Sequence, residues 1–217
     1  MIEGVTIEID PEAVLIQVRG TLRVLSSAVA GGGTGGARAI VNLHVGKDFH
    51  CDDAASDLAA FARRRSLPAP WVGLLTAALT EHAQLASEAT EGITATAVVT
   101  VGLSNPVNAG VSLPAACGAS TINTIVVVNA TPEPAALVNL VVTATEAKVL
   151  ALADAGFRGP GGGAVSGTSS DAILIAATDR GPRCRFGGPA TALGWTVARA
   201  VRLAAEAGAR RWIAEHP

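Results

Sequence analysis

The stretch Val5-Thr6-Ile7-Glu8-Ile9-Asp10-Pro11-Glu12-Ala13-Val14-Leu15-Ile16-Gln17-Val18 decides how this chain is read. Val5, Ile7 and Ile9 alternate with Thr6, Glu8 and Asp10, the period of a strand with one buried face. Asp10-Pro11-Glu12 is turn chemistry, and Val14 to Val18 resumes as a second strand, so the pair reads as a hairpin. A third extended run, Thr21 to Ala30, ends at the glycine cluster Gly31-Gly32-Gly33-Thr34-Gly35-Gly36, which reads as a mobile loop. Strands that follow one another without intervening helices argue against a doubly wound parallel sheet.

Working outward, Ala39 to Val45 is strand-like. Asp52 to Arg64 reads as a helix with Leu58, Phe61 and Ala62 inward and Arg63-Arg64-Arg65 at its C-terminal end, where the dipole favours cations. Pro68 and Pro70 end it. Val72 to Thr76 reads as a strand leading to a polar turn with Glu81 and His82. Ile93 to Leu103 and Thr121 to Asn129 are β-branched strands around a Pro/Gly loop at 105–120. Thr131 as N-cap and Pro132 at the first helical position predict a helix to about Ala155, stopped by Gly156. Its apolar stripe is Leu137, Leu140, Val141, Ala144 and Leu152. Gly159 to Gly163 reads as a loop and Ala172 to Ala177 as a strand. Ala190 to Ala214 reads as a long terminal helix. The expected fold is α+β: a single layered domain over 1–217, with mostly antiparallel or mixed sheets packed against two long helices. One form of it is an α/β/β/α sandwich.

Composition narrows the function. Of 217 residues, 49% are hydrophobic and 16% charged, so the chain can bury a sizeable core. A net charge of -2, 3% aromatic residues and no Tyr supply neither a basic footprint nor a stacking platform for nucleic acid. The acidic start and the interruption of apolar runs before about 18 residues predict no signal peptide and no membrane span, hence a cytoplasmic protein. Cys51, Cys117 and Cys184 are scattered, and read as small buried hydrophobes rather than a disulfide or zinc set. The Ala-rich terminal helix is compatible with a homo-oligomer.

Several ordered blocks resemble one family. They are Leu25-Ser26-Ser27-Ala28-Val29, Ile40-Val41-Asn42-Leu43, Gly73-Leu74-Leu75-Thr76-Ala77-Ala78 and Thr100-Val101-Gly102-Leu103-Ser104-Asn105-Pro106. Thr121-Ile122-Asn123-Thr124-Ile125-Val126, Thr145-Glu146-Ala147-Lys148 and Gly167-Thr168-Ser169-Ser170-Asp171-Ala172 complete the series. Together, over roughly residues 20–205, they resemble the adenosylcobinamide amidohydrolases of corrinoid salvage. The resemblance implies hydrolysis of adenosylcobinamide to adenosylcobyric acid and aminopropanol. The corrinoid is then substrate, with no separate cofactor and no protein-held metal.

Amide hydrolysis needs an activated nucleophile, oxyanion stabilisation and a proton for the leaving amine. The sequence has no HExxH and no GxSxG. Lys148 shares the apolar stripe of its helix, where desolvation would make it a base or oxyanion donor, unless its ammonium snorkels outward. Glu146 sits about 200° around the same helix and does not face it. Asp171 closes a small-residue turn, where it can orient a nucleophile or simply cap its own backbone. Lys148, Asp171 and Glu146 are therefore the candidate catalytic residues. Ser104, Asn105, Asn123, Thr124, Thr145, Thr168 and Asn42 are the candidate substrate-binding residues, with Asn123 and Thr124 expected to face one pocket. His44, in the strand Asn42-Leu43-His44-Val45, is read as structural or as a further site residue, a histidine on the lower corrin face being one conceivable role, and His50 lies beside Cys51 and Asp52.

The chain departs from the family where a glycine is followed by Thr-His-Thr-Lys-Leu-Gly-Glu. Here Gly188-Pro189-Ala190-Thr191-Ala192-Leu193-Gly194-Trp195 places Ala190, Ala192 and Trp195 at the His, Lys and Glu positions. A non-catalytic member that binds a corrinoid or another ligand is thus the alternative to an amidohydrolase.

Overall fold

In the computed structural model, which describes residues 2–47, 49, 54–114 and 120–216, the opening alternation becomes a hairpin. β1 (Val5–Ile9) pairs antiparallel with β2 (Ala13–Ser26), Val5 opposite Val18 and Ile9 opposite Val14. Asp10 closes the turn: its Oδ1 accepts the N–H groups of Glu12 and Ala13 at 2.8 and 2.9 Å. Burial alone pushes this carboxyl up, but those two N–H groups and the Arg65 guanidinium outweigh it, and its pKa lies below the ordinary 3.8. The stability Asp10 contributes is therefore present above that ordinary value and lost as pH falls through the lowered one. Asp10→Asn is expected to flatten the loss of stability between about pH 5 and pH 2. Urea midpoints across that range check it, and an unchanged slope contradicts it.

The two runs expected as separate strands, 14–18 and 21–30, form one long strand. Its register with β3 (Gly33–His44) slips between Gln17 and Leu22, around Gly20 at φ 110°. That irregularity bends the ribbon. The first half of β2 lies beside β1, and its second half pairs with β11 (Ala172–Ala177). The glycine cluster is a loop only at Gly31 and Gly32: Gly33–Gly36 begin β3, opposite Arg23–Ser26. Close approach explains Gly36 and Gly32: a Cβ on Gly36 would stand 2.9 Å from the Thr21 methyl, and one on Gly32 2.3 Å from the Ala28 carbonyl.

The remaining elements are α1 (Ala54–Arg64), β4 (Trp71–Thr76), β5 (Gln84–Thr90), β6 (Ile93–Val101), β7 (Pro106–Val107), β8 (Ile122–Val128), β9 (Thr131–Pro132), α2 (Pro134–Asp154), β10 (Gly167–Thr168), β12 (Arg183–Cys184) and α3 (Ala192–Glu215). The main sheet runs β4-β3-β2-β11-β8-β6-β5, with β1 on the edge of β2. β3–β4 and β8–β11 are its parallel pairs, and the other pairs are antiparallel. β5 has no counterpart in the sequence reading, because its one large apolar residue, Leu85, is exposed and no alternating apolar face marks it.

Three buried clusters define the layers. Leu15, Val41, Leu58 and Phe61 pack α1 on one side. Val14, Ile16, Ile40, Leu74, Ile125, Val127 and Leu174 fill the space where the bent sheet faces itself. Ile122, Val126, Leu140, Ala144, Val197 and Val201 pack α2 and α3 on the far side. This is the expected α+β fold, in its α/β/β/α layering. α2 starts two residues later than its expected cap. Thr131 and Pro132 pair with β12 instead, and Glu133 is the N-cap without a side-chain bond. Backbone pairing by Thr131 and Glu133 to Pro182 and Cys184 outweighs the local capping preference. α2 and α3 run side by side in the same direction. Thr143 donates to the Gly187 carbonyl before α3, Asp154 pairs with Arg202, and Phe157 beyond α2 packs edge-on against Trp212. Contrary to the expectation from apolar run length, α2 is long and apolar enough to cross a membrane by composition, with mean hydropathy 1.6. Half of that window is buried within the protein, as in a core helix.

Candidate active site

The site grows from one end of the sheet, where β6 finishes and β8 and β11 begin. Asp171 immediately precedes β11. Its Oδ1 accepts the N–H of Ile122 at 3.0 Å, the N–H of Thr168 at 3.1 Å and the hydroxyl of Thr168 at 2.5 Å. Its Oδ2 accepts from Lys148 Nζ at 2.5 Å. One carboxylate thus joins β8, β10, β11 and α2. The side chains of Lys148 and Asp171 are only 10% and 18% exposed. Lys148 does not snorkel: its ammonium turns inward to Asp171, because a desolvated charge needs a partner. Gly167 is required here. A Cβ on it would fall 2.0 Å from Asp171 Oδ2 and 2.7 Å from Lys148 Nζ.

The turn before Asp171 is tied to the loop after β6. β7 pairs with β10, the Val107 carbonyl accepts from Ser166 N–H, and Asn105 Nδ2 donates to Ser169 Oγ at 2.7 Å. Asn105 Oδ1 is buried with no partner among the described residues.

Beneath the site, between the facing parts of the sheet, lies a buried polar chain. Asn123 Nδ2 donates to Asn42 Oδ1 at 2.7 Å and to the Leu75 carbonyl at 2.8 Å. Asn42 Nδ2 donates to Thr100 Oγ1 at 3.0 Å, and Thr100 Oγ1 to Thr76 Oγ1 at 3.5 Å. Thr121 Oγ1 lies 3.2 Å from Asn123 Oδ1 and 2.8 Å from the Ser170 carbonyl, so its one proton serves either acceptor. Asn123→Ala would leave the Asn42 oxygen and the Leu75 carbonyl buried without this donor. A loss of about 2–4 kcal/mol is expected, read as a fall in the denaturation midpoint. A change below about 1 kcal/mol would show that the chain does not matter.

Two cavities open at this end. One of about 300 Å³ is lined by Ser27, Ala28, Val29, Leu74, Thr121, Ser170 and Asp171, among others. The second, of about 390 Å³, is lined by His44, Lys47, His82, Ser104, Arg211 and Trp212, among others. Val45 and Ala77 line both, so the cavities adjoin.

The structure gathers Lys148, Asp171, Thr168 and, through Ser169, Asn105. It joins Asn42 to Asn123 in the layer below. Ser104 is exposed, at the second cavity. Asn123 and Thr124 do not share a pocket, because successive strand residues face opposite sides. Thr124 turns toward the helical layer, its hydroxyl buried without a partner among the described residues. Thr145 and Glu146 lie on the exposed face of α2, Thr145 bonding back to the Val141 carbonyl. Sequence reasoning missed Thr76, Thr100 and Thr121 as parts of the polar chain, since a Thr in a β-branched strand carries no signal of its own. Cys184 is half-buried and burial pushes its thiol up. Cys51, Cys117, His50 and Asp52 lie outside the described residues.

Residues 1–217 match the family model for adenosylcobinamide amidohydrolase. The chain belongs to that family. An adenosylcobinamide amidohydrolase of Methanosarcina mazei is 29% identical over 200 residues, 88% of this chain and 92% of the relative. Another, of Halobacterium salinarum, is 36% identical over 157 residues, 69% of this chain and 61% of the relative. In fold, the chain is similar to the crystal structure of the PH0078 protein from Pyrococcus horikoshii OT3. The TM-score is 0.50 at 11% identity, covering 99% of this chain and 85% of that one.

Within this amidohydrolase family member, the depleted block lies apart from Lys148. Trp195 and Pro189 line an outer cleft with Glu146, Arg199 and Arg202, on the face of α2 that points away from β11. Of positions 190, 192 and 195, Trp195 lines the cleft beside Glu146, while Lys148 is paired with Asp171 away from it.

Proposed function

We propose that the chain hydrolyses the aminopropanol amide of adenosylcobinamide, giving adenosylcobyric acid and aminopropanol, at the Asp171 end of the sheet. The observation that carries this reading is the inward Lys148–Asp171 pair, whose carboxylate lines a cavity walled by apolar and hydroxyl groups. Family membership supports this choice of substrate class. Asp171 Oδ1 is saturated by three donors, whereas Oδ2 holds one from Lys148 and keeps room for another. In this reading a water donates to Oδ2 and adds to the amide carbon. Lys148 N–H faces the developing oxyanion. The C–N bond breaks as the proton passes to the leaving amine, leaving a carboxylate.

The test is incubation with adenosylcobinamide and mass spectrometry for adenosylcobyric acid. Product is expected from the wild type and not from Asp171→Asn. A wild type that binds the substrate tightly and makes no product overturns the proposal. That outcome is the second reading, a corrinoid-binding protein, and the outer cleft favours it: Glu146 there faces Trp195 where the family pattern has a carboxylate.

A further inference from the structure

We infer that His44 is the lower axial ligand to the cobalt of the bound corrinoid, through Nε2. The inference rests on the proposed substrate class. His44 ends β3, directly before Val45, which with Ala77 lines both cavities. Its Nδ1 lies 3.1 Å from the Ala78 carbonyl. A carbonyl only accepts, so Nδ1 carries a proton and Nε2 is the nitrogen left to bind a metal. This orientation of a ring by a carbonyl on its far nitrogen is the arrangement of metal-ligating histidines. The Ala78 turn is itself fixed, since Ala78 N–H donates to Thr76 Oγ1 at 3.1 Å, and Thr76 belongs to the buried polar chain. Nε2 has no hydrogen-bond partner among the described residues.

The other histidines on this cavity are poorer ligands. His82 stands between the carboxylates of Glu81 and Glu215, at 3.9 and 3.7 Å. His216 also turns Nδ1 to a carbonyl, that of Trp212 at 2.9 Å, but it is exposed at the end of α3 and stacked on Trp212 with centroids 4.2 Å apart. Substrate chemistry points the same way. The amide to be cut hangs below the macrocycle, on the face of the lower axial position, and in cobinamide that position holds exchangeable water. A protein that places this amide beside Asp171 must therefore grip the lower face, and His44 waits in the adjoining cavity. Ligation replaces one cobalt–water bond by one cobalt–nitrogen bond, with no change of oxidation state.

Electron paramagnetic resonance of the protein with cob(II)inamide decides it. The high-field cobalt lines are expected as triplets from one nitrogen, and as doublets when the protein carries 15N-histidine, a result that needs no variant. The splitting should vanish in His44→Ala and in His44→Gln, with folding checked by circular dichroism, and persist in His82→Ala and His216→Ala. Unsplit lines in the wild-type complex, or splitting that survives His44→Ala, overturn the inference. Unsplit lines together with amide product sink the ligation alone. A protein that binds no cobinamide sinks the substrate reading with it.

Discussion

Gly167→Ala is expected to lower the stability of the protein by about 3 kcal/mol and its amidase activity by about a hundredfold. The added methyl would lie 2.0 Å from Asp171 Oδ2, far inside contact distance. The Lys148 ammonium ends a flexible chain and can move, but only by giving up its buried partner. Asp171 cannot, because its other oxygen is held by Ile122 and by both donors of Thr168. Either the carboxylate leaves those three bonds or the β7–β10 ladder opens, and both routes misplace the group that faces the cavity. In a domain of this size the loss corresponds to roughly 6–12 °C in melting temperature. Calorimetry and the product assay read the two effects separately. A variant that melts with the wild type and turns over normally would show that the pair is not held as tightly as the geometry implies.

The Lys148–Asp171 pair carries the second large effect. Lys148→Ala leaves a carboxylate in a site that is largely closed to water, and the penalty for such an orphan reaches about 3–5 kcal/mol when burial is complete. Because the side chains keep 10% and 18% exposure, a loss toward the lower end is expected. Activity should fall by more than about a hundredfold, the scale for removing one preorganised oxyanion donor. Lys148→Met combined with Asp171→Asn separates the roles. The asparagine oxygen still accepts from Ile122 and Thr168, and no charge is left buried, so part of the stability returns. Activity should not return with it. A double variant that regains turnover would reduce the pair to a structural pin.

Much of this architecture was legible in the chain itself. Alternation in 5–18 and the β-branched runs at 93–101 and 122–128 specify strands because a two-residue period must bury one face. The stripe of Leu137, Leu140, Ala144 and Leu152 specifies a core helix, and Gly156, at φ 78°, ends it. Less legible were features that depend on what arrives from elsewhere. Thr131 looks like a cap until β12 offers it a partner. Gly33–Gly36 look like a loop until the second half of β2 lies against them. The candidate site divides in the same way. Lys148 stood out because a lysine on an apolar stripe is anomalous, and Asp171 because it closes a turn.

The sequence alone determined the layered α+β class, the two long helices and the family to which the chain belongs, since these follow from local periodicity and ordered short motifs. Only the tertiary structure decided the site. The bend of β2 near Gly20 folds the sheet onto itself and brings Asn42 to Asn123, residues 81 positions apart. The start of β11 beside α2 sets Asp171 against Lys148 while Glu146 turns to the outer cleft. Such pairings depend on which strand edges and helix faces meet, and no local pattern encodes that.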